Sequence, residues 1–192
     1  ASAMLETVAH EFQHLIYFYR KYMLNDNVNA VENPYITEGL SALAQDLSGY
    51  QAGNFYVTMA GLDGIDMVSL PNFTSDALKQ YVGGEADGVM RGAGYLIIRY
   101  FYDLAGGDSM DAQGNAQDDG GITWLHTFMD QLEYGNESFT KSTGLTHGQM
   151  VDQFWTALVL SNRGSQGAAL SEDAKYNYLP TTLDPITGRQ RG

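Results

Sequence analysis

The sequence predicts a mainly α-helical domain. Apolar residues recur at intervals of three and four over most of the 192 residues, and long period-two alternation is scarce. The helical stretches are separated by clusters of Gly, Pro, Asn and Asp. A chain of this length, 44% hydrophobic, can bury one sizeable core. It lacks cysteine, which excludes disulfides and thiol catalysis. No apolar run reaches the 18 or so residues that a membrane span needs. A net charge of −13 argues against nucleic acid and anionic membrane surfaces as partners.

The first helix is expected near residues 2–24. Met4, Leu5, Val8, Phe12, Leu15, Ile16 and Tyr19 recur at helical spacing and should bury one face against the core. The same stretch contains His10-Glu11-Phe12-Gln13-His14, an H-E-x-x-H pattern. On a helix, residues four apart project from one face about one turn apart. Two imidazoles so placed can reach one zinc ion, and the intervening Glu11 can take a proton from a water beside the metal. The implied chemistry is attack of water on a carbonyl, most often a peptide bond.

A catalytic zinc takes three protein ligands, so one more must come from elsewhere. Residues 25–34 are polar and turn-rich, long enough to reverse the chain. A second helix is expected at 37–49, with Thr37 as N-cap and Glu38 in its first turn, where a carboxylate suits the helix dipole. His126 and His147 compete for the same role, but a lone histidine is more often a surface or cap residue. A metzincin would need His and Gly at further fixed spacings, and position 17 is Tyr and position 20 is Arg.

A Glu opening Glu38-Gly39-Leu40-Ser41-Ala42-Leu43-Ala44, some twenty residues after H-E-x-x-H, resembles the gluzincin zinc metallopeptidases. Gly92-Ala93-Gly94-Tyr95-Leu96-Ile97-Ile98-Arg99-Tyr100-Phe101 is similar to a helix that follows the zinc helices in hyicolysin-like peptidases. Ser142-Thr143-Gly144-Leu145-Thr146 and the helix holding Phe154, Trp155 and Ala157 are similar to their closing segment. The resemblance runs from about Val8 to Leu160. It implies His10, His14 and Glu38 as zinc ligands, Glu11 as general base, and the C-terminal helical catalytic subdomain of a zincin. Two positions depart from it. Ala42 stands where many gluzincins carry an acid that steadies a zinc histidine, with Asp46 the next carboxylate on that helix. Val89-Met90-Arg91 lacks the Tyr that the aminopeptidases place before Gly-Ala. Tyr95 is then the nearest candidate to stabilise an oxyanion, with Arg91 behind it. No segment for capturing a free amine is evident, so an endopeptidase is favoured over an aminopeptidase.

Further helices are expected at 74–82, 88–105 (capped by Asp87), 122–134 and 146–162, the last opened by a Thr146/Gln149 capping box. Residues 51–73 admit a short strand or a helix. Residues 106–121 hold Asp108, Asp111, Asp118 and Asp119 and read as a solvated loop, too polar and Gly-rich for a helix or strand. Calcium binding is the functional alternative for this loop, Asp108 to Asp119. Residues 1–165 form the catalytic subdomain in this reading, and 166–192 an irregular tail. Only nine residues precede His10, too few for the sheet that precedes the zinc helix in zincins. The expectation is the helical part of a larger secreted or cell-surface peptidase, bacterial by preference, acting on proteins or peptides with an N-terminal portion of the same protein. The alternative is a zinc-binding, non-hydrolytic adhesion domain.

Overall fold

The computed structural model describes residues 2–26, 32–49, 85–160, 171, 173–176, 182–183 and 190–191. It is mainly helical, as expected: α1 Ser2–Phe18, α2 Pro34–Leu47, α3 Glu85–Leu104, α4 Gly121–Met129, α5 Asn136–Thr143 and α6 His147–Leu160. A short antiparallel hairpin joins α3 to α4, with β1 Asp108–Met110 pairing β2 Ala116–Asp118. Two two-residue strands, β3 Thr182–Leu183 and β4 Gln190–Arg191, also pair antiparallel. The expected helix at 74–82 and the ambiguous stretch 51–73 lie outside the described residues.

The core forms where α2 and α3 lie against each other and α4, α5 and α6 close over them. Ile36, Leu40 and Leu43 of α2 meet Ala93, Leu96, Ile97 and Phe101 of α3, all buried. Glycine permits the contact. A Cβ on Gly39 would fall 2.5 Å from the carbonyl carbon of Gly94, and one on Gly94 would fall 2.2 Å from the Tyr35 oxygen. The helices therefore touch backbone to backbone. At the far side, Trp124 and Phe128 of α4 pack with Phe139 of α5, the last two rings 4.7 Å apart.

The first helix meets this core with the opposite face from the one its apolar pattern indicates. Met4, Leu5, Val8, Phe12, Leu15 and Tyr19 are exposed, Met4 by 67% and Leu15 by 65%, and Ile16 is half-buried. The inward residues are His10 and Tyr17. After Phe18 the helix widens into a π-helical turn, Tyr19–Met23, with the amide of Leu24 bonding the carbonyl of Tyr19 at 3.0 Å. The wider turn changes the phase of the helix. Lys21 and Tyr22 there point inward. Buried Glu32 pins the end of this helix: its carboxylate accepts from the Tyr17 hydroxyl, the Asn33 amide and the Gly135 amide.

Four boundaries differ from expectation for local reasons. The second helix begins at Pro34, which needs no amide partner in a first turn, and Asn33 rather than Thr37 caps it. Thr37 lies inside, bonded back to the Pro34 carbonyl. The third starts at Glu85, so Asp87 sits within its first turn. The fourth ends at Met129, and the polar segment 136–143 forms the separate α5, entered through Gly135 at φ 59°. The stretch 106–121 is a hairpin: Asp111 closes its turn by accepting the Gln113 and Asn115 amides, and Asp118 caps α4 through Gly120, Ile122 and Thr123. The capping box at Thr146 and Gln149 forms as expected, with bonds of 2.9 and 3.3 Å.

Candidate metal centre

Three donor atoms from α1 and α2 converge. His10 and His14, one turn apart, bring their Nε2 atoms to 3.2 Å. Glu38, in the second turn of α2, places Oε2 3.4 Å from His10 Nε2 and Oε1 3.6 Å from His14 Nε2. Each histidine thus faces a different oxygen of the carboxylate, and one donor atom from each of the three residues lies within 4.8 Å of the others, close enough to share one ion. His10 is buried, and His14 and Glu38 are half-buried. Among the described residues this is the one His/Cys/Asp/Glu group that can hold a metal. Glu38 Oε2 is buried and faces two nitrogens, His10 Nε2 at 3.4 Å and Arg91 Nε at 3.1 Å.

Hydrogen bonds from α2 orient both rings. His10 Nδ1 faces Gln45 Oε1 at 3.3 Å. The amide oxygen can only accept, so Nδ1 carries a proton, and in the neutral ring Nε2 keeps its lone pair toward the cluster. Ser41 Oγ lies 3.1 Å from His14 Nδ1 and 3.4 Å from its Nε2. Its own proton goes to the Thr37 carbonyl at 3.0 Å, so it accepts from the ring. Glu38, Ser41 and Gln45 follow at intervals of three and four, one face of α2. No acid at position 42 is required: Ala42 is buried in the core, and amide and hydroxyl oxygens do the orienting.

Charges in the cluster balance locally. The bond with Glu38 raises the pKa of His10 above its ordinary value, against the effect of burial. Burial lowers that of His14, with Glu38 and Glu11 pulling it back. Burial would raise the carboxyl of Glu38, but the His10 bond and the charge of Arg91 outweigh it and leave it below the usual range. Arg91 Nε, from α3, stands 3.1 Å from Glu38 Oε2. Glu11, between the histidines in sequence, is exposed beside them.

The other candidates lie elsewhere. Tyr95 is buried, and its hydroxyl donates to Asp46 Oδ2 at 3.0 Å. Asp46 is two turns beyond Glu38, about 12 Å along the helix axis. Burial, and then the charge of Asp46, push that hydroxyl well above its ordinary pKa. Asp46 also pairs with Arg99 Nη1, and so ties α2 to α3 rather than holding a histidine. His126 is exposed on α4, and His147 opens α6. Among the described residues the aspartates of the hairpin join no metal-holding group; Asp111 and Asp118 serve the turn and the α4 cap, and Asp108 accepts the Tyr102 hydroxyl at 2.7 Å. Gln45 and Ser41 escaped the sequence reading: spacing puts them on the Glu38 face of α2, but only the packing of α2 beside α1 sets them against the histidines. Comparisons of the chain with protein-family models, curated proteins and solved structures give no match.

Proposed function

We propose that this chain is the catalytic part of a zinc-dependent peptidase of gluzincin type, an endopeptidase in preference to an aminopeptidase. The observation that carries the reading is the convergence of one donor atom each from His10, His14 and Glu38 to within 4.8 Å, beside exposed Glu11. Two imidazoles and one carboxylate are the donors of an open catalytic zinc site. Bound zinc supplies Lewis acidity, polarising a carbonyl and acidifying water.

The protein's own residues do the rest. Gln45 and Ser41 fix the rings with their lone pairs inward, and Glu38 brings the negative charge that offsets a dication. Glu11 takes a proton from the attacking water and delivers it to the leaving amine nitrogen. The exposed apolar face of α1 supports a partner surface there.

Glu11→Gln tests the reading. The variant should keep stoichiometric zinc and lose chelator-sensitive hydrolysis of casein or a quenched peptide. Undiminished hydrolysis would sink the assignment. Glu38→Ala should release most of the zinc; full retention would move the third ligand elsewhere.

A further inference from the structure

We propose that Arg91 is a positioning residue of this centre: it holds one oxygen of Glu38, so that the carboxylate meets the metal through the other. The inference rests on the metal-centre reading above. Glu38 faces the cluster with both oxygens, Oε2 toward His10 and Oε1 toward His14. A carboxylate so placed can bind an ion through one oxygen or through both. The Arg91 cation, 3.1 Å from Oε2, breaks that symmetry. It draws the negative charge of Oε2 to itself and leaves Oε1 as the ligand atom. One-oxygen binding keeps three protein donors on the ion and a fourth position open, which hydrolytic chemistry needs.

The approach is built into the packing of two helices. Glu38 adjoins Gly39, and Arg91 lies one turn before Tyr95 with Gly94 between them. The Gly39–Gly94 contact admits no Cβ on either side. The ion pair runs through Nε, the innermost guanidinium nitrogen, as suits two backbones this close. The same face of α3 continues to Tyr95 and Arg99, both held by Asp46 of α2. Helix packing thus fixes where Arg91 stands relative to Glu38, and the Glu-Gly and Arg-Gly-Ala-Gly sequences gain a shared purpose. Arg91 acts on the metal only through Glu38.

The test uses the full chain loaded with cobalt(II), whose visible bands weaken as coordination rises above four. Metal stoichiometry and chelator-competition affinity are measured on wild type, Arg91→Met, Arg91→Gln and Arg91→Lys, with circular dichroism as the check of folding. Arg91→Met should bind cobalt about 10–100-fold more weakly, as loss of a ligand's orienting partner does. Its bands should lose intensity. Arg91→Lys should recover most of the affinity. Wild-type affinity and bands in either folded neutral variant would overturn the proposal, even if thermal stability falls. Should Arg91→Met not fold, Arg91→Gln carries the test, and Gly94→Ala, which forces the helices apart, should weaken the same bands. Failure of the wild type to take up metal would sink the metal-centre reading itself. A wild type that binds beside variants that match it would overturn only the role of Arg91.

Discussion

Asp46→Ala should be among the most destabilising single changes in the described structure. Asp46 is fully buried, accepts the Tyr95 hydroxyl at 3.0 Å and pairs with the equally buried Arg99. Truncation strands a guanidinium and a hydroxyl in the core. Removing one partner of a buried ion pair costs about 3–5 kcal/mol. An orphaned neutral donor costs about 1–3 kcal/mol. Arg99 keeps Asp103 at 2.8 Å, which limits the loss. A total of about 4 kcal/mol is expected, a large share of a stability of about 5–15 kcal/mol. With a urea slope of about 2 kcal/mol per molar, the unfolding midpoint should fall by about 2 M. A loss below about 1 kcal/mol would refute the claim that this network holds α2 to α3.

Tyr95→Phe in the same assay separates two roles for one residue. If the hydroxyl serves Asp46 alone, the variant should lose about 1 kcal/mol of stability. Its turnover should not change. An oxyanion donor would instead show a fall of about 100–1,000-fold in kcat. The hydroxyl's burial and its bond to Asp46 favour the first outcome, and a fall of that size at intact stability would refute it.

Gln45→Ala should loosen the tautomer of His10 and weaken zinc about 10-fold or more, measured by chelator competition; unchanged affinity would show that Gln45 orients nothing. Lys21, buried with Nζ 3.2 Å from Ser138 Oγ, has its pKa lowered by burial, against the pull of Glu32, Glu133 and Asp130. Between that lowered value and the ordinary 10.5, the unfolded chain binds more protons than the folded one, so this group makes stability rise with pH in that window. Compared with Lys21→Met by urea titration, the wild type should therefore gain as pH approaches 10.5; parallel pH profiles would show that the ammonium pays no burial cost.

Local spacing made the paired histidines of the candidate centre legible, because four residues on a helix are one turn and little else is needed to bring His10 to His14. The α2, α3 and α6 helices were equally readable from their apolar periodicity. What surrounds the ligands was not. Gln45 and Ser41 act because α2 lies beside α1, a tertiary fact that no residue type announces. Arg91, Tyr95 and Arg99 share one face of α3, yet only the position of Glu38 and Asp46 across the helix contact tells what each does. The short α5 hides because Phe139 and Ser138 are its only buried residues, so it depends on the core it closes. The hairpin hides because Asp118, which reads as a solvated charge, is spent on capping α4.

The inverted burial of α1 goes with the partners that its polar residues meet inside. A helix pressed against the core through His10, Tyr17 and Lys21 turns its polar working face inward, where Gln45, Ser41 and Glu32 satisfy it. Its apolar residues are left facing outward. Successive helical residues advance by about 100°, which sets Glu11 between the arc of His14 and the arc of Val8, Leu15 and Tyr19. Glu11 therefore stands at the border of the His10–His14–Glu38 group and the exposed apolar face. A surface laid over that face would bury apolar area and also exclude bulk water beside Glu11. In a drier site, the charges of Glu11 and Glu38 would act with less screening, which on the proposed function would strengthen proton transfer and metal binding together. On the proposed function, the exposed stripe would bear on the chemistry as well as on assembly, since whatever covers it would supply a second wall beside Glu11.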